Sequence, residues 1–421
     1  MPDSKTIVLC ADGTCNVFGQ RSSNVARLLQ FIDLRDPESL IACYDQGIGT
    51  QFDQGAAIEA FRAELPCKDA LQLLERPHDG WRHPWTVPHL LGSMLFGWGL
   101  RANVRQLYCA LGKHYASGDS VFLFGFSRGA FAVRALAGFV WRAGLPAESK
   151  ECRAGELFDR DWPAFVKREL ALHSTTERAN TGIRTVDCPI RFLGCWDTVK
   201  SYGGLRPVML PHLRHNPSVK VVRHALALDE KRGWFEPTTW GWLDSDKKHD
   251  PDNPTAISRI DTHERELLDA QDVLEVWFTG CHSDIGGGIP GATPDIALRW
   301  MLGEASASAL ALNPAGVWFL GAPAEVERPG VTESRSWVWN VIECAPRRQI
   351  NNSRKCPTRQ WAALGASKRN PLEHPRAHIV RVHESVSPSL RSKSVADGVT
   401  VTTACTLRTA LQRWVRLNKR R

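Results

Sequence analysis

Six short apolar runs, each ending abruptly in polar residues or glycine, constrain this fold more than any other feature. Ile7-Val8-Leu9-Cys10-Ala11 gives way to Asp12-Gly13-Thr14, and Leu40 to Tyr44 gives way to Asp45-Gln46-Gly47. Ser120 to Phe124 ends at Gly125, and Ile190 to Trp196 runs into Asp197. Val273 to Phe278 ends in Thr279-Gly280, and Ala377 to Val382 ends at His383. Runs this continuously apolar suit strands buried on both faces, as in a parallel sheet covered by helices. Helical patterns lie between them, for example over residues 103–115 and 129–143. The alternation predicts an α/β fold with a mostly parallel central sheet and helices on both faces. In open sheets of this kind ligands bind beyond the C-terminal strand ends, which is where the polar residues cluster.

Two stretches interrupt the alternation. Residues 51–98 contain Pro77-His78-Asp79-Gly80-Trp81-Arg82-His83-Pro84-Trp85 and read as an insertion. Residues 200–265 are rich in Pro, Trp, Asp and Lys and read as irregular covering structure. Either is a candidate lid or cap. The expected organisation is one catalytic domain over residues 1–390 and a C-terminal segment over 391–421.

That last segment is basic. Arg408, Arg413, Arg416, Lys419, Arg420 and Arg421 come with no acid, and Leu407, Leu411, Trp414 and Val415 fall at helical spacing. A basic amphipathic helix is expected, docked by its apolar stripe or lying on an anionic membrane as a peripheral contact. The chain carries +8, and without those six residues it would carry only +2. No nucleic-acid-binding pattern accompanies the charge, so nucleic acid is not an expected partner.

The strand that ends at Phe124 leads into Gly125-Phe126-Ser127-Arg128-Gly129, then a run rich in small residues, Ala130, Ala132, Ala135, Ala137 and Gly138. Strand, Gly-x-Ser-x-Gly and helix together are the pattern of a nucleophile elbow, where the serine sits on a sharp turn. Gly125 and Gly129 allow strand and helix the close approach that the turn requires. The helix N-terminus turns N–H groups toward a developing oxyanion, and the Arg128 N–H is one candidate donor.

A nucleophilic serine needs a base, and the base needs an acid to orient it. Asp197 and His282 follow later strands, which gives the chain order Ser, Asp, His found in α/β-hydrolases. His383 is the alternative base and Asp284 the alternative acid. Asp12-Gly13-Thr14 matches part of an aspartyl-phosphate loop, but the second Asp that loop needs is replaced by Cys10. The loop is instead expected to supply a second oxyanion N–H, with Gly13 the candidate and Asp12 shaping the loop. Gly286-Gly287-Gly288 has no Lys-Ser or Lys-Thr after it, so it is not a P-loop. It either admits a ligand close to the backbone or relieves crowding behind His282.

Several ordered pieces now resemble a known family. They are Ala11-Asp12-Gly13-Thr14-x-Asn16, Tyr44-Asp45-Gln46-Gly47-Ile48-Gly49-Thr50 and Gly99-Leu100-x-x-Asn103-Val104-Arg105. After the elbow come Gly194-Cys195-Trp196-Asp197-Thr198-Val199 and His224-Ala225-Leu226-Ala227-Leu228-Asp229-Glu230. The last is Trp277-Phe278-x-Gly280-x-His282-Ser283-Asp284-Ile285-Gly286-Gly287-Gly288. Together they resemble the uncharacterised α/β-hydrolase family that includes the type VI secretion lipase and phospholipase effectors of family one. The resemblance implies an α/β-hydrolase core and a serine-dependent esterase acting on a lipid or another acyl ester. For the effector branch it implies an immunity protein or a secretion-spike protein as partner.

The reaction so read needs no metal or organic cofactor. The 12 cysteines show no zinc-site spacing and are expected as reduced thiols. The N-terminus shows no secretory signal, so the chain is expected in the cytoplasm as synthesised, with export open only to a signal-independent system. Of the 16 tryptophans, Trp196 and Trp277 are expected in the core, while Trp81, Trp85, Trp234, Trp240 and Trp242 belong to the two candidate lids.

Overall fold

Strand β1 (Thr6–Ala11) shows how the sheet organises the core. Ile7, Leu9 and Ala11 pack into one hydrophobic cluster, and Val8 and Cys10 into a second on the opposite face. A strand with both faces buried has no polar side to spare, hence the unbroken apolar run. The computed structural model describes residues 4–13, 22–46, 55–65, 67–74, 99–148, 151–167, 183–199, 210–240, 262–289, 293–322, 331–332, 347–351, 358–362, 369, 379–382 and 400–403.

After β1 come β2 (Leu40–Asp45), β3 (Leu71–Leu73) and β4 (Ser120–Phe126). A short antiparallel pair, β5 (Leu145–Pro146) with β6 (Thr185–Val186), lies outside the main sheet. Strands β7 (Ile190–Trp196), β8 (Val219–Ala227) and β9 (Asp272–Phe278) continue it. β10 (Arg347–Asn351) and β11 (Thr358–Ala362) pair with each other, and β12 (Ile379–Val382) and β13 (Thr400–Thr403) rejoin the main sheet.

The spatial order is β13-β12-β9-β8-β7-β4-β1-β2-β3, and every neighbouring pair is parallel. The seven strands from β3 to β9 form the body of the sheet, while β12 joins β9 through one residue pair, Val382 with Trp277. The order in which strands are added reverses between β1 and β4: β2 and β3 extend one way, β7 to β9 the other. That reversal opens a crevice at the C-terminal strand ends. Asp12 and Ser127 stand on its two sides.

One face is covered by α3 (Leu100–His114), α4 (Arg128–Ala143) and α5 (Glu151–Val166), packed through Leu107, Phe131, Phe139, Phe158 and Trp162. The other face carries α1 (Asn24–Leu28), α8 (Thr293–Ala307) and Phe319 of α9 (Pro314–Gly321) over an aromatic cluster. Phe122, Phe124, Phe192 and Trp196 meet there at centroid distances of 5.5–6.2 Å. The shorter helices are α2 (Gly55–Glu64), α6 (Thr262–Asp269) and α7 (His282–Gly286). Among the described residues no helix is long and apolar enough to cross a membrane.

The α/β expectation, with helices on both faces, therefore holds. Three boundaries change. Residues 200–265 are not all covering structure, because β8 lies in the middle of the sheet between β7 and β9. Its Arg223 and His224 hid the strand pattern. They are tolerated because Arg223 pairs with Asp272 and Glu304, both at 2.6 Å, and His224 with Glu275 at 2.8 Å. Within 51–98, β3 extends the sheet edge beside β2, and residues 75–98 lie outside the described residues. Beyond 390, β13 belongs to the sheet, while the expected basic helix of 407–421 lies outside the described residues. The eight described cysteines are free thiols.

Candidate active site

The elbow is built from close contacts that only glycine permits. A Cβ on Gly129 would stand 2.1 Å from the Ala11 carbonyl oxygen and 2.6 Å from that of Asp12. A Cβ on Gly125 would stand 2.6 Å from the Ala130 backbone. With those side chains absent, α4 starts directly behind β1 and β4. Ser127 is forced to φ 57°, ψ −117°, an unusual conformation for a residue with a Cβ. Its N–H donates to the Trp196 carbonyl at 3.0 Å, which ties the turn to β7.

The structure brings three of the sequence-derived candidates together. The Ser127 hydroxyl lies 2.8 Å from His282 Nε2, and His282 Nδ1 lies 2.5 Å from Asp197 Oδ2. Asp197 can only accept in its ionised form, so Nδ1 carries the proton and Nε2 is left to accept from serine. Asp197 adopts φ 40° just past β7, and its N–H donates to the Ala225 carbonyl at 2.8 Å. All three residues are buried.

Burial opposes charge on both members of the pair. For Asp197, burial raises the carboxyl, but the Arg369 guanidinium and the His282 hydrogen bond outweigh it and leave the group well below the usual range. For His282, burial is the larger effect and lowers the imidazole, against the Asp197 bond that raises it. Burial thus favours the neutral form of His282, in which Nε2 can accept a hydrogen bond.

The remaining candidates fall as follows. Arg128 opens α4, so its N–H is among those a helix leaves without an intrahelical acceptor. The Gly13 N–H donates to its neighbour's Asp12 Oδ1 at 2.6 Å in this arrangement. Asp12 Oδ2 accepts from the Ser23 hydroxyl and from Tyr44 Oη at 2.7 Å, which fixes the end of β1. Thr14 lies outside the described residues, as does His383. Asp284 is engaged elsewhere. It caps α7 through the Cys281 N–H at 2.8 Å and accepts from the Thr332 N–H at 3.0 Å and hydroxyl at 2.7 Å.

The glycine triplet relieves crowding. A Cβ on Gly286 would fall 1.9 Å from the Phe126 ring, and one on Gly287 2.7 Å from the Asn24 backbone nitrogen. Phe126 then packs at a tilt against the His282 ring, centroids 4.7 Å apart, and Phe235 meets that ring edge-on at 4.9 Å. Trp196 and Trp277 are buried in the core, as expected. Trp240, expected in a lid, is also buried, with the Arg134 guanidinium 5.2 Å from its ring centroid. Trp81, Trp85 and Trp242 lie outside the described residues.

Several supporting residues had no signal of their own. Glu230 accepts the His282 N–H at 3.2 Å and pairs with Arg232 at 2.8 Å. Burial alone would raise the Glu230 carboxyl, but Arg232 holds it down at about 2. Arg369 donates to both oxygens of Asp197, at 2.6 and 3.0 Å. The Glu230 neighbourhood was visible as part of a family-like segment. Arg369 stands alone in a polar stretch, and nothing local marks it. Among the described residues, no cluster of His, Cys, Asp or Glu is placed to hold a metal ion.

A family model described as the type VI secretion system phospholipase effector Tle1-like catalytic domain matches residues 5–304, more than half of the chain. The chain belongs to the Tle1-like family. Ser127, Asp197 and His282 all fall inside the Tle1-like region, whereas Arg369 falls outside it. An uncharacterized protein of Saccharomyces cerevisiae is 33% identical over 245 residues, covering 55% of this chain and 32% of the relative. Two solved structures are each 18% identical. An uncharacterized protein from Pseudomonas aeruginosa has a TM-score of 0.39, covering 74% of this chain and 46% of that one. The Tle1 effector bound to the VgrG spike of the type VI secretion system has a TM-score of 0.30, covering 68% of this chain and 51% of that one. This chain thus spans about a third of the yeast relative and about half of each solved chain.

The elbow glycine carries a direct test. Gly129→Ala should lower stability by at least about 1–3 kcal/mol, because the obstructing atoms are backbone and cannot rotate away. Gly321→Ala, where the added Cβ meets nothing within 4 Å, should leave the thermal unfolding midpoint nearly unchanged. Equal midpoints for the two variants would remove the steric account of the elbow.

Proposed function

We propose that this chain is a serine hydrolase of acyl esters, acting on lipid or phospholipid. The observation that carries the reading is the hydrogen-bonded relay Ser127–His282–Asp197, at 2.8 and 2.5 Å, on a strained strand–helix elbow. Membership of a phospholipase effector family supports the lipid class.

In this mechanism Ser127 Oγ attacks the ester carbonyl while His282 Nε2 takes its proton. The imidazolium is stabilised by Asp197 and returns the proton to the leaving alcohol. Water, activated by the same nitrogen, then releases the acid from the acyl-enzyme. The Arg128 N–H at the start of α4 donates to the oxyanion. Gly13 joins it when its N–H turns from the Asp12 carboxylate toward the substrate. No step calls for a metal or cofactor.

The first experiment is a phospholipid and triglyceride panel with products identified by mass spectrometry. Wild type should release fatty acid, and folded Ser127→Ala should lose activity by roughly 10⁴-fold or more. Normal hydrolysis by that variant would dismiss Ser127 as nucleophile.

The pH dependence follows from the base. Protonated His282 cannot accept the serine proton, so the rate rises with pH as the imidazole deprotonates. Burial lowers that group from its ordinary 6.5, so the acid limb should have its midpoint below pH 6.5. A midpoint well above 6.5 would contradict the desolvated, neutral base.

The family description favours one further reading, in which the hydrolase is an antibacterial effector delivered with a secretion-spike protein and neutralised in its producer by an immunity protein. The relative in yeast leaves this role resting on the family description alone. Directed to the bacterial periplasm, wild type should arrest growth and Ser127→Ala should not. Unimpaired growth with the active enzyme would leave the esterase and discard the effector.

A further inference from the structure

Asp197 is fully buried, and a buried carboxylate is stable only when its lone pairs are met by donors. Four donors converge on it. Oδ1 accepts from the Ala227 N–H at 3.0 Å and from Arg369 Nη1 at 2.6 Å. Oδ2 accepts from His282 Nδ1 at 2.5 Å and from Arg369 Nη2 at 3.0 Å. The guanidinium is itself held in place: Nη1 also donates to the Ala227 carbonyl at 2.9 Å, and Nη2 to the Phe235 carbonyl. Its side chain is only 4% exposed. Such a two-pronged fork fixes the plane of a carboxylate as well as its charge.

We propose that Arg369 is a positioning residue of the active site, clamping both oxygens of Asp197 so that the carboxylate stays ionised and aimed at His282. The inference rests on the hydrolase reading and extends it to a residue outside the matched family region. Arg369 touches neither serine nor the reacting ester; it acts through Asp197.

The charge balance gives it a specific signature. With Arg369 in place, the ionised Asp197, neutral His282 and Arg369 sum to zero. Without it they sum to −1, and a buried site of net −1 binds a proton more readily. Asp197 and His282 titrate as a coupled pair, so the proton taken up disables the base whichever residue holds it. Among the described residues, the other ionisable groups around the pair are Glu230, against the His282 N–H and paired with Arg232, and His224, which accepts from the Thr198 N–H at 3.1 Å and bonds Glu275. The test leaves all of them in place.

The experiment measures the rate of Ser127 labelling by a fluorophosphonate across pH, using the full chain. This probe reports the base without requiring knowledge of the natural ester. Arg369→Met should move the acid limb upward by about one pH unit and slow labelling at neutral pH. Arg369→Lys keeps the charge but loses the fork, so it should label more slowly with the limb of wild type. Thermal unfolding of each variant checks the fold. A folded Arg369→Met protein with the wild-type limb overturns the proposal. If Arg369→Met does not fold, an Arg369→Lys protein matching wild type in both limb and rate overturns it. Failure of the wild type to label, or equal labelling of Ser127→Ala, would count instead against the hydrolase reading.

Discussion

The packing of Gly129 on the carbonyls of Ala11 and Asp12 is the constraint on which the rest of the site depends. It lets α4 begin at the end of β1 rather than a side chain's width away. That proximity forces the turn at Ser127 and starts the helix beside the crevice between β1 and β4. The same crevice is where the strand order reverses, so the helices that follow β1 and β4 leave to opposite faces. The strained serine, the helix terminus and the open edge are thus consequences of one close contact. Trp196 adds the last tether by accepting the Ser127 N–H, which makes β7 responsible for both the Ser127 backbone and the adjacent Asp197.

Electrostatics then decides which groups can work. A carboxylate at the bottom of a packed site carries a large desolvation cost, and removing the partner of such a buried charge typically costs about 3–5 kcal/mol. Here the cost is met from two directions, by the imidazole in front and the guanidinium behind. His282 is in turn confined between Phe126 and Phe235, and its backbone is held by Glu230. Apolar walls keep the ring neutral, while the carboxylate keeps its tautomer and direction. In the proposed reaction the three effects are complementary: neutrality makes His282 an acceptor, orientation aims it at Ser127, and the buried charge would stabilise the imidazolium.

The parts of this arrangement that were legible in sequence are those whose cause is local. Apolar runs of β1, β4, β7 and β9 revealed buried parallel strands, and Gly125 and Gly129 around Ser127 revealed the elbow. Asp197 and His282 could be read because polar site residues on such sheets follow strand ends. β8 was missed because Lys220, Arg223 and His224 break its apolar pattern. Arg223 is matched by Asp272 and Glu304, 49 and 81 residues away, and His224 bonds Glu275, 51 residues away. The choice between Asp197 and Asp284 was likewise a three-dimensional matter. Both lie near His282 in space or sequence, but Asp284 is spent on the start of α7 and on Thr332.

Arg369 marks the limit of local inference most sharply. It lies 172 residues from Asp197, in a part of the chain outside the matched Tle1-like region. Two carbonyls far from it in sequence, Ala227 and Phe235, also accept from its guanidinium. β12 and β13 dock on β9 from the same part of the chain, extending the sheet on the side from which His282 is presented. The region after 304 is therefore not an appendage to a finished core. It contributes strands to the sheet and a cation to the acid of the relay, so the charge balance of the site is complete only when that part of the chain has folded against it.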